Sequence, residues 1–161
     1  MRIIGDGGHA SEIRALYDAA NYGYSSEWWI FIAVGDNANR KAEAKKHDGS
    51  GYFPILVHPH AWVSGQFPAV PHSTSIGDGT VIMAGAVVQP RVTIGKHCII
   101  NTCASVSHDC TLGDFVHVAP GARLCGNVTV GEGALIGAGA VCVPGAVIAP
   151  WSLVKAGSVA K

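Results

Sequence analysis

Charge is scarce in this sequence. Asp, Glu, Lys and Arg make up 14% of the 161 residues and cancel to a formal net charge of zero, so no basic face for nucleic acid is expected. The five cysteines are an odd number and contain no CxxC pair. That pattern gives no disulfide framework and reads as reduced thiols. No apolar run reaches the roughly 20 residues needed to cross a bilayer, which excludes membrane insertion by a helix. The N-terminus lacks the basic start, apolar stretch and cleavage site of a secretion leader. The expectation is a cytoplasmic protein of one domain, or of one domain with a small appendage.

What the chain does have is glycine, 21 residues of it, and a repeat. Counting every sixth residue from Val70 gives Val70, Ile76, Ile82, Val88, Ile94, Ile100, Val106, Leu112, Val118, Leu124, Val130, Ile136, Cys142, Ile148 and Val154. All fifteen are aliphatic except one cysteine. Two residues before these positions the side chain is mostly small, as at Ala86, Cys98, Ala104, Cys110, Ala122, Ala134, Ala140 and Ala146. Gly follows directly at Gly77, Gly95, Gly113, Gly131 and Gly137. Neither the helix period of 3.6 nor the strand period of 2 produces a strict six. A triangular coil does, with six residues per side and 18 per turn. The aliphatic residues then stack inside the prism, the small residues fit near the corners, and glycine permits tight backbone there. Residues 70–160 supply about five coils, joined as parallel strands about 4.8 Å apart.

The first 57 residues read differently. A short apolar strand, Arg2-Ile3-Ile4, leads into Gly5-Asp6-Gly7-Gly8-His9 and a helix over residues 10–20, with Ile13, Leu16 and Tyr17 on one face. An apolar strand over 28–34 follows, then Gly35-Asp36-Asn37-Ala38-Asn39-Arg40 and a polar helix to about Lys46. Ile55-Leu56-Val57 forms another short strand, and His58-Pro59 turns toward the coil. Strand, glycine-rich turn, helix, strand is a βαβ pattern whose helix N-terminus can hold phosphate. A tight strand-to-helix turn accounts for the same glycines. The expected division is 1–57, a shortened α/β domain, and 58–161, the coil.

The six-residue series resembles the hexapeptide-repeat acyltransferase superfamily. That resemblance implies a left-handed parallel β-helix and a homotrimer. Residues 76–154 carry only seven charged side chains (Asp78, Arg91, Lys96, Asp109, Asp114, Arg123, Glu132), and flat apolar faces of this kind favour association. Several segments narrow the likeness: residues 4–10, residues 32–37, His58-Pro59, residues 101–110 with Ser107-His108-Asp109-Cys110, and residues 117–122 from His117. Together they are similar to the sialic acid O-acetyltransferase and UDP-4-amino-sugar N-acetyltransferase family of bacterial glycan pathways. The resemblance implies a nucleotide-sugar held by the N-terminal domain and acetyl-CoA held by the coil between subunits. One departure is plain. The family's acidic pair after the second strand is absent, and residues 22–27 run almost directly into the next strand, with Glu27 a poor substitute. Relatives also often run on past the position of Lys161, so some donor contacts are expected to be missing.

Acetyl transfer needs a base for the acceptor's proton and donors near the developing oxyanion. Histidine suits the first role near neutral pH, and a neighbouring carboxylate fixes its tautomer. The family pattern assigns the base to His108 and its support to Asp109. A surface histidine beside a solvated aspartate, or a histidine packed between subunits, is the plainer alternative. His117 matches a family contact to acetyl-CoA, with interface packing as its alternative. Gly126, Gly137, Ala138 and Ala156 are candidates for backbone contact with acetyl-CoA, though corner geometry explains each as well. Lys155, Lys161 and Arg123 could meet its phosphates or sit solvated on the rim. Gly7, Gly8, His9 and Gly35 match the nucleotide-sugar contacts, and Asn101 is a candidate for substrate binding or for a corner hydrogen-bond ladder. Cys98, Cys110 and Cys142 occupy core slots, so direct transfer is expected rather than a route through a covalent cysteine.

The expected reaction is acetylation of the amine of a UDP-4-amino-sugar-type acceptor. A sialic acid O-acetyltransferase is the alternative within the family, and a non-catalytic β-helix scaffold or binding protein is the alternative outside it. The γ-type carbonic anhydrases share this coil and bind zinc through three histidines across subunits. Their spacing is missing here, because His108 and His117 are nine apart with no histidine five after either. His58 and His60 could pair, but the intervening Pro59 is expected to turn them from a common target. No metal is expected.

Overall fold

The computed structural model describes residues 2–20, 28–65 and 74–161. Val70 and the departure noted at residues 22–27 lie outside the described residues. The rest is a small α/β unit leading into a parallel β-helix of about five turns.

Strand β1 (Arg2–Ile4) pairs in parallel with β2 (Ile30–Ile32), and helix α1 (Gly8–Ala19) connects them. Ile13 and Leu16 point from α1 into the interior, as their spacing predicts, and Tyr17 packs partly buried beside them. Helix α2 (Asn37–Lys46) starts earlier than the sequence suggested, because the Asp36 carboxylate accepts the Asn39 N–H at 2.8 Å and caps it. Asn37 and Arg40 therefore lie on its first turns, not in the loop ahead of it.

The coil has three faces. Face 1 carries strands at Leu56–Val57, Val81–Ile82, Ile99–Ile100, His117–Val118, Leu135–Ile136 and Leu153–Val154. Face 2 carries Trp62–Val63, Val87–Val88, Ser105–Val106, Arg123–Leu124, Val141–Cys142 and Val159–Ala160. Face 3 carries Ser75–Ile76, Thr93–Ile94, Thr111–Leu112, Thr129–Val130 and Val147–Ile148. Pairing partners from residue 75 onward are 18 apart, as in Val106↔Leu124 and Val118↔Ile136. The Leu56–Val57 strand pairs with Val81–Ile82, so it already belongs to the coil. The inward column from Ile82 to Ile136 is almost fully buried, and the small slots at Ala86, Cys98, Ala104, Cys110, Ala122, Ala134 and Ala140 are fully buried. The α/β unit covers face 1, where Ile13, Leu16 and Phe31 pack with Leu56, Val81 and Ile99.

The corners obey a rule that the repeat only half discloses. Every residue three past an inward position, from Gly79 to Gly157, has a left-handed backbone with φ between 52° and 74°. Seven are glycine and seven are Arg91, His97, Cys103, Asp109, Phe115, Asn127 and Trp151. A side chain is disfavoured in this conformation, so those seven need a reason beyond the turn. The glycines directly after the inward residues serve another purpose. A Cβ on Gly95 would lie 2.6 Å from the Gly113 carbonyl carbon of the next coil. Close approach between coils keeps them glycine, not the turn itself.

At the corner between faces 3 and 1, the left-handed residues form an aromatic ladder. His97 stacks on Phe115 with ring centroids 5.3 Å apart and meets the edge of Phe53 at 4.8 Å. Against this ladder docks Arg40, which is 1% exposed and makes no ion pair with a carboxylate among the described residues. Its guanidinium donates instead to five oxygens: the carbonyls of His97, Val34, Gly35 and Phe115 and the side chain of Asn37. Asn37 in turn donates to the Gly133 and Ala134 carbonyls. Burial pushes the pKa of Arg40 down to about 10, so it stays charged at neutral pH.

Candidate active site

His108 and Asp109 occupy the corner between faces 2 and 3. His108 Nδ1 and Asp109 Oδ2 are 2.6 Å apart. An ionised carboxylate only accepts, so Nδ1 carries the proton and Nε2 presents its lone pair. The imidazole is more than half exposed and open to an acceptor. Asp109 is held in turn by Arg91 of the coil below, whose Nε and one terminal nitrogen donate to Oδ1 and Oδ2 at 2.6 and 2.8 Å. The hydrogen bonds from Arg91 and then from His108 hold its carboxyl well below the usual carboxylate range. Gly126 lies under the ring from the coil above, where a Cβ would meet His108 Cε1 at 2.7 Å. Its absent side chain makes room for the imidazole.

His117 lies elsewhere in the chain. It projects from face 1, the side of the triangle opposite the His108 corner, beneath the α/β unit. There it joins most of the residues matched to the nucleotide-sugar. Asn101 accepts the Thr102 N–H through Oδ1 at 2.7 Å, which turns its amide nitrogen toward His117 Nε2 at 3.2 Å. The imidazole also hydrogen-bonds the Gly35 backbone. Nε2 therefore accepts from Asn101 and Nδ1–H donates to Gly35, leaving neither ring nitrogen free. Burial, reinforced by Arg40 and His9, pushes the pKa of His117 down to about 4.

His9 completes this cluster from the start of α1. Its Nδ1 contacts Glu12 at 3.0 Å, while Nε2 is buried without a partner among the described residues. Desolvation lowers its pKa against the opposing pull of Glu12. Nε2 is thus a neutral acceptor awaiting a donor. Gly7, Gly8 and Gly35 would meet nothing within 4 Å if given a Cβ, and none has a left-handed φ. The chain's own packing does not demand glycine at any of the three, and a ligand lying against the backbone would. Beside them, a cavity of about 440 Å³ opens at the carboxyl ends of β1 and β2, lined by Ile4, Gly5, Asp6, Val34 and Glu43. Ligands of parallel α/β sheets bind in that place. Asp6 and Glu43 bring two carboxylates to it. Sequence reasoning passed over both, having looked for the acids after a second strand.

The other acetyl-CoA candidates fall at the corner between faces 1 and 2. Gly137 is buried there: its N–H donates to the Val154 carbonyl and its own carbonyl accepts from Ala140. With both groups used and a Cβ placed 2.5 Å from the Ala156 nitrogen, coil stacking accounts for this glycine. Ala138 and Ala156 are exposed on the same edge. The neighbouring left-handed positions Gly121, Gly139 and Gly157 have open space where a Cβ would stand. This corner is nearly bare of side chains, a strip of backbone against which an extended chain can lie.

The thiols behave as the repeat predicts. Cys98, Cys110 and Cys142 are buried, and burial pushes Cys98 up to about 12 and Cys142 up to about 11. His58 and His60 come closer than Pro59 suggested, with ring centroids 5.2 Å apart, but His58 Nδ1 already accepts the His60 N–H. Among the described residues, no three His, Cys, Asp or Glu side chains converge as a metal site. No helix among them is long and apolar enough to cross a membrane. A further cavity of about 400 Å³ lies between α2 and the aromatic corner, and none of the candidate site residues lines it.

Comparison with known proteins follows this geometry. The family described as bacterial transferase hexapeptide (six repeats) matches residues 73–108 and 109–144. A curated relative, GDP-perosamine N-acetyltransferase of Escherichia coli O157:H7, is 37% identical over 111 residues, covering 68% of this chain and 47% of the relative. This chain spans about half the length of the curated relatives it matches. Among solved structures, the acetyltransferase domain of PglB from Neisseria gonorrhoeae in complex with acetyl coenzyme A superposes with a TM-score of 0.87 at 32% identity, over 97% of this chain and 87% of that one. PerB from Caulobacter crescentus in complex with CoA and GDP-perosamine gives 0.89 at 31% identity, over 99% and 87%.

Proposed function

Because the chain belongs to the bacterial hexapeptide transferase family, we propose that it transfers an acetyl group from acetyl-CoA to the amine of a nucleotide-linked amino sugar. The observation that carries this reading is the His108–Asp109 contact of 2.6 Å at an exposed corner, which leaves Nε2 as a bare, oriented base. Acetyl-CoA, when bound, supplies the activated thioester. His108 takes the proton of the acceptor amine at Nε2 as nitrogen bonds to the acetyl carbon, and returns it to the departing sulfur. Asp109 holds the ring in the tautomer this requires and stabilises its transient charge.

The α/β unit ahead of Leu56 holds the nucleotide-sugar, and the coil from Leu56 onward holds the donor. Support for the acceptor site comes from the open backbone at Gly7, Gly8 and Gly35, the unfilled His9 Nε2 and the two carboxylates of the adjoining cavity. Relatives that act on nucleotide amino sugars favour N-acetylation over O-acetylation. The catalytic corner and face 1 point in different directions within one chain. We infer a homotrimer in which the His108 corner of one subunit meets the His117, Ala138 and Ala156 side of its neighbour, so that the site is shared between copies.

The test is His108→Ala with acetyl-CoA and a panel of GDP- and UDP-linked 4-amino sugars. Removing a general base is expected to lower kcat by about 100-fold or more, with acetyl-CoA binding retained. Near-normal turnover would remove His108 from the mechanism.

A further inference from the structure

Arg91 is one of the few charged side chains on the coil and lies outside every motif that carries the family resemblance. From the geometry we infer that Arg91 is a positioning residue for the catalytic pair: its fork fixes the Asp109 carboxylate that orients His108. This rests on the reading of His108 as the base.

The placement argues for it. Arg91 and Asp109 hold the same left-handed corner position, 18 residues apart, with φ of 59° and 62°. Glycine serves the turn at half of such positions, so a side chain at both calls for a function. Successive coils set the two side chains one above the other, and the guanidinium meets the carboxylate with two donors. Oδ1 is taken wholly by Arg91, and Oδ2 is shared between Arg91 and His108 Nδ1. The carboxylate cannot rotate without breaking one of these contacts. An exposed ion pair adds little to stability, which leaves orientation as its use. The coil below presents Gln89, whose Oε1 accepts the His108 N–H at 3.3 Å, and Pro90. The coil above presents Cys125, Gly126 and Asn127, and the Cys110 thiol behind Asp109 is pushed up by burial and stays neutral. The carboxylate held in this way sets the tautomer that leaves Nε2 as the acceptor.

The experiment uses Arg91→Gln, Arg91→Lys and His108→Ala with acetyl-CoA and an amino-sugar nucleotide that supports turnover. It has two readouts: kcat and KM at one pH, and the melting temperature. In Arg91→Gln kcat is expected to fall on the order of tenfold as the carboxylate loosens, with KM and the melting temperature little changed. Arg91→Lys is expected to recover only part of that kcat, because a point charge cannot hold both oxygens. Unchanged kcat in Arg91→Gln, or full recovery in Arg91→Lys, with His108→Ala inactive, would overturn the inference alone. Normal turnover in His108→Ala would overturn the base reading and this inference together.

Discussion

A single missing methyl group decides where the His108 ring can lie. Gly126 has no side chain to compete for the space, and a Cβ there would stand 2.7 Å from Cε1 and 2.9 Å from Nε2. The ring is exposed and can swing away cheaply, so Gly126→Ala is expected to leave thermal stability within about 1 kcal/mol of wild type. Turnover is another matter, since a base displaced by about 1 Å can lose on the order of 100-fold in rate. Parallel measurement of melting temperature and kcat separates the two. Asn101 shows the same economy. Its amide orientation is set by the Thr102 N–H, and that orientation sets the His117 tautomer. Asn101 was already singled out in the sequence by its place after a core isoleucine. Its pairing with His117 was not readable there, because the two lie 16 residues apart and meet only when one coil sits on the next.

At the scale of elements, the junction between α2 and the coil depends on groups that must stay buried and, for the histidines, neutral. Arg40 satisfies four backbone carbonyls and Asn37 from one side chain. Arg40→Met would leave those oxygens buried without donors, at a cost on the order of 3 kcal/mol or more. Protease sensitivity of the α/β unit is expected to rise while the coil's circular dichroism persists. Two histidines at this junction make it acid-sensitive. Desolvation pushes His97 down to about 4, with Arg40 adding to the effect, and His117 falls to a similar value. Both are neutral when folded, whereas an unfolded chain binds a proton at each near 6.5. Their contribution is thus fully present above about pH 6.5 and is lost as pH falls toward about 4. The melting temperature should drop through that window, and His97→Phe should flatten part of the drop. A melting temperature that stays constant from pH 7 to pH 4.5 would contradict this account. The arginine itself was visible in the sequence only as part of a polar segment. Nothing in its neighbours announces burial, because the acceptors are backbone oxygens drawn from distant parts of the chain.

For the whole molecule, stability comes from one continuous column of aliphatic side chains. Ile100 is fully buried between Ile82 and Val118 in adjacent coils. Ile100→Ala is expected to cost about 2–5 kcal/mol, because neighbouring coils are tied by backbone ladders and cannot collapse into the gap. Chemical denaturation measures this directly. Assembly is the second property at this scale. Val147, Leu153 and Val159 are each more than half exposed on the final turn, one on each face. Light scattering at micromolar concentration is expected to give three times the chain mass, and a monomer would rule out the shared site.

The sequence by itself determined the coil. A strict six-residue period has one simple geometric solution, and its inward and small positions were readable because each depends on neighbours at fixed spacing, whereas the left-handed corner three past each inward residue was not. The His108–Asp109 pair was legible for the same reason, being adjacent in the chain and outward at a corner. Three matters were decided by the tertiary structure alone. Arg91 reaches Asp109 only because coils stack in an 18-residue register. His117 joins Asn101, His9 and Gly35, away from His108, only because the α/β unit folds over face 1. Asp6 and Glu43, the acidic residues of the cavity at the ends of β1 and β2, meet there only once β1, β2 and α2 are packed together. Each is a contact between residues far apart in the chain, where local pattern carries no information and the packing of elements supplies it.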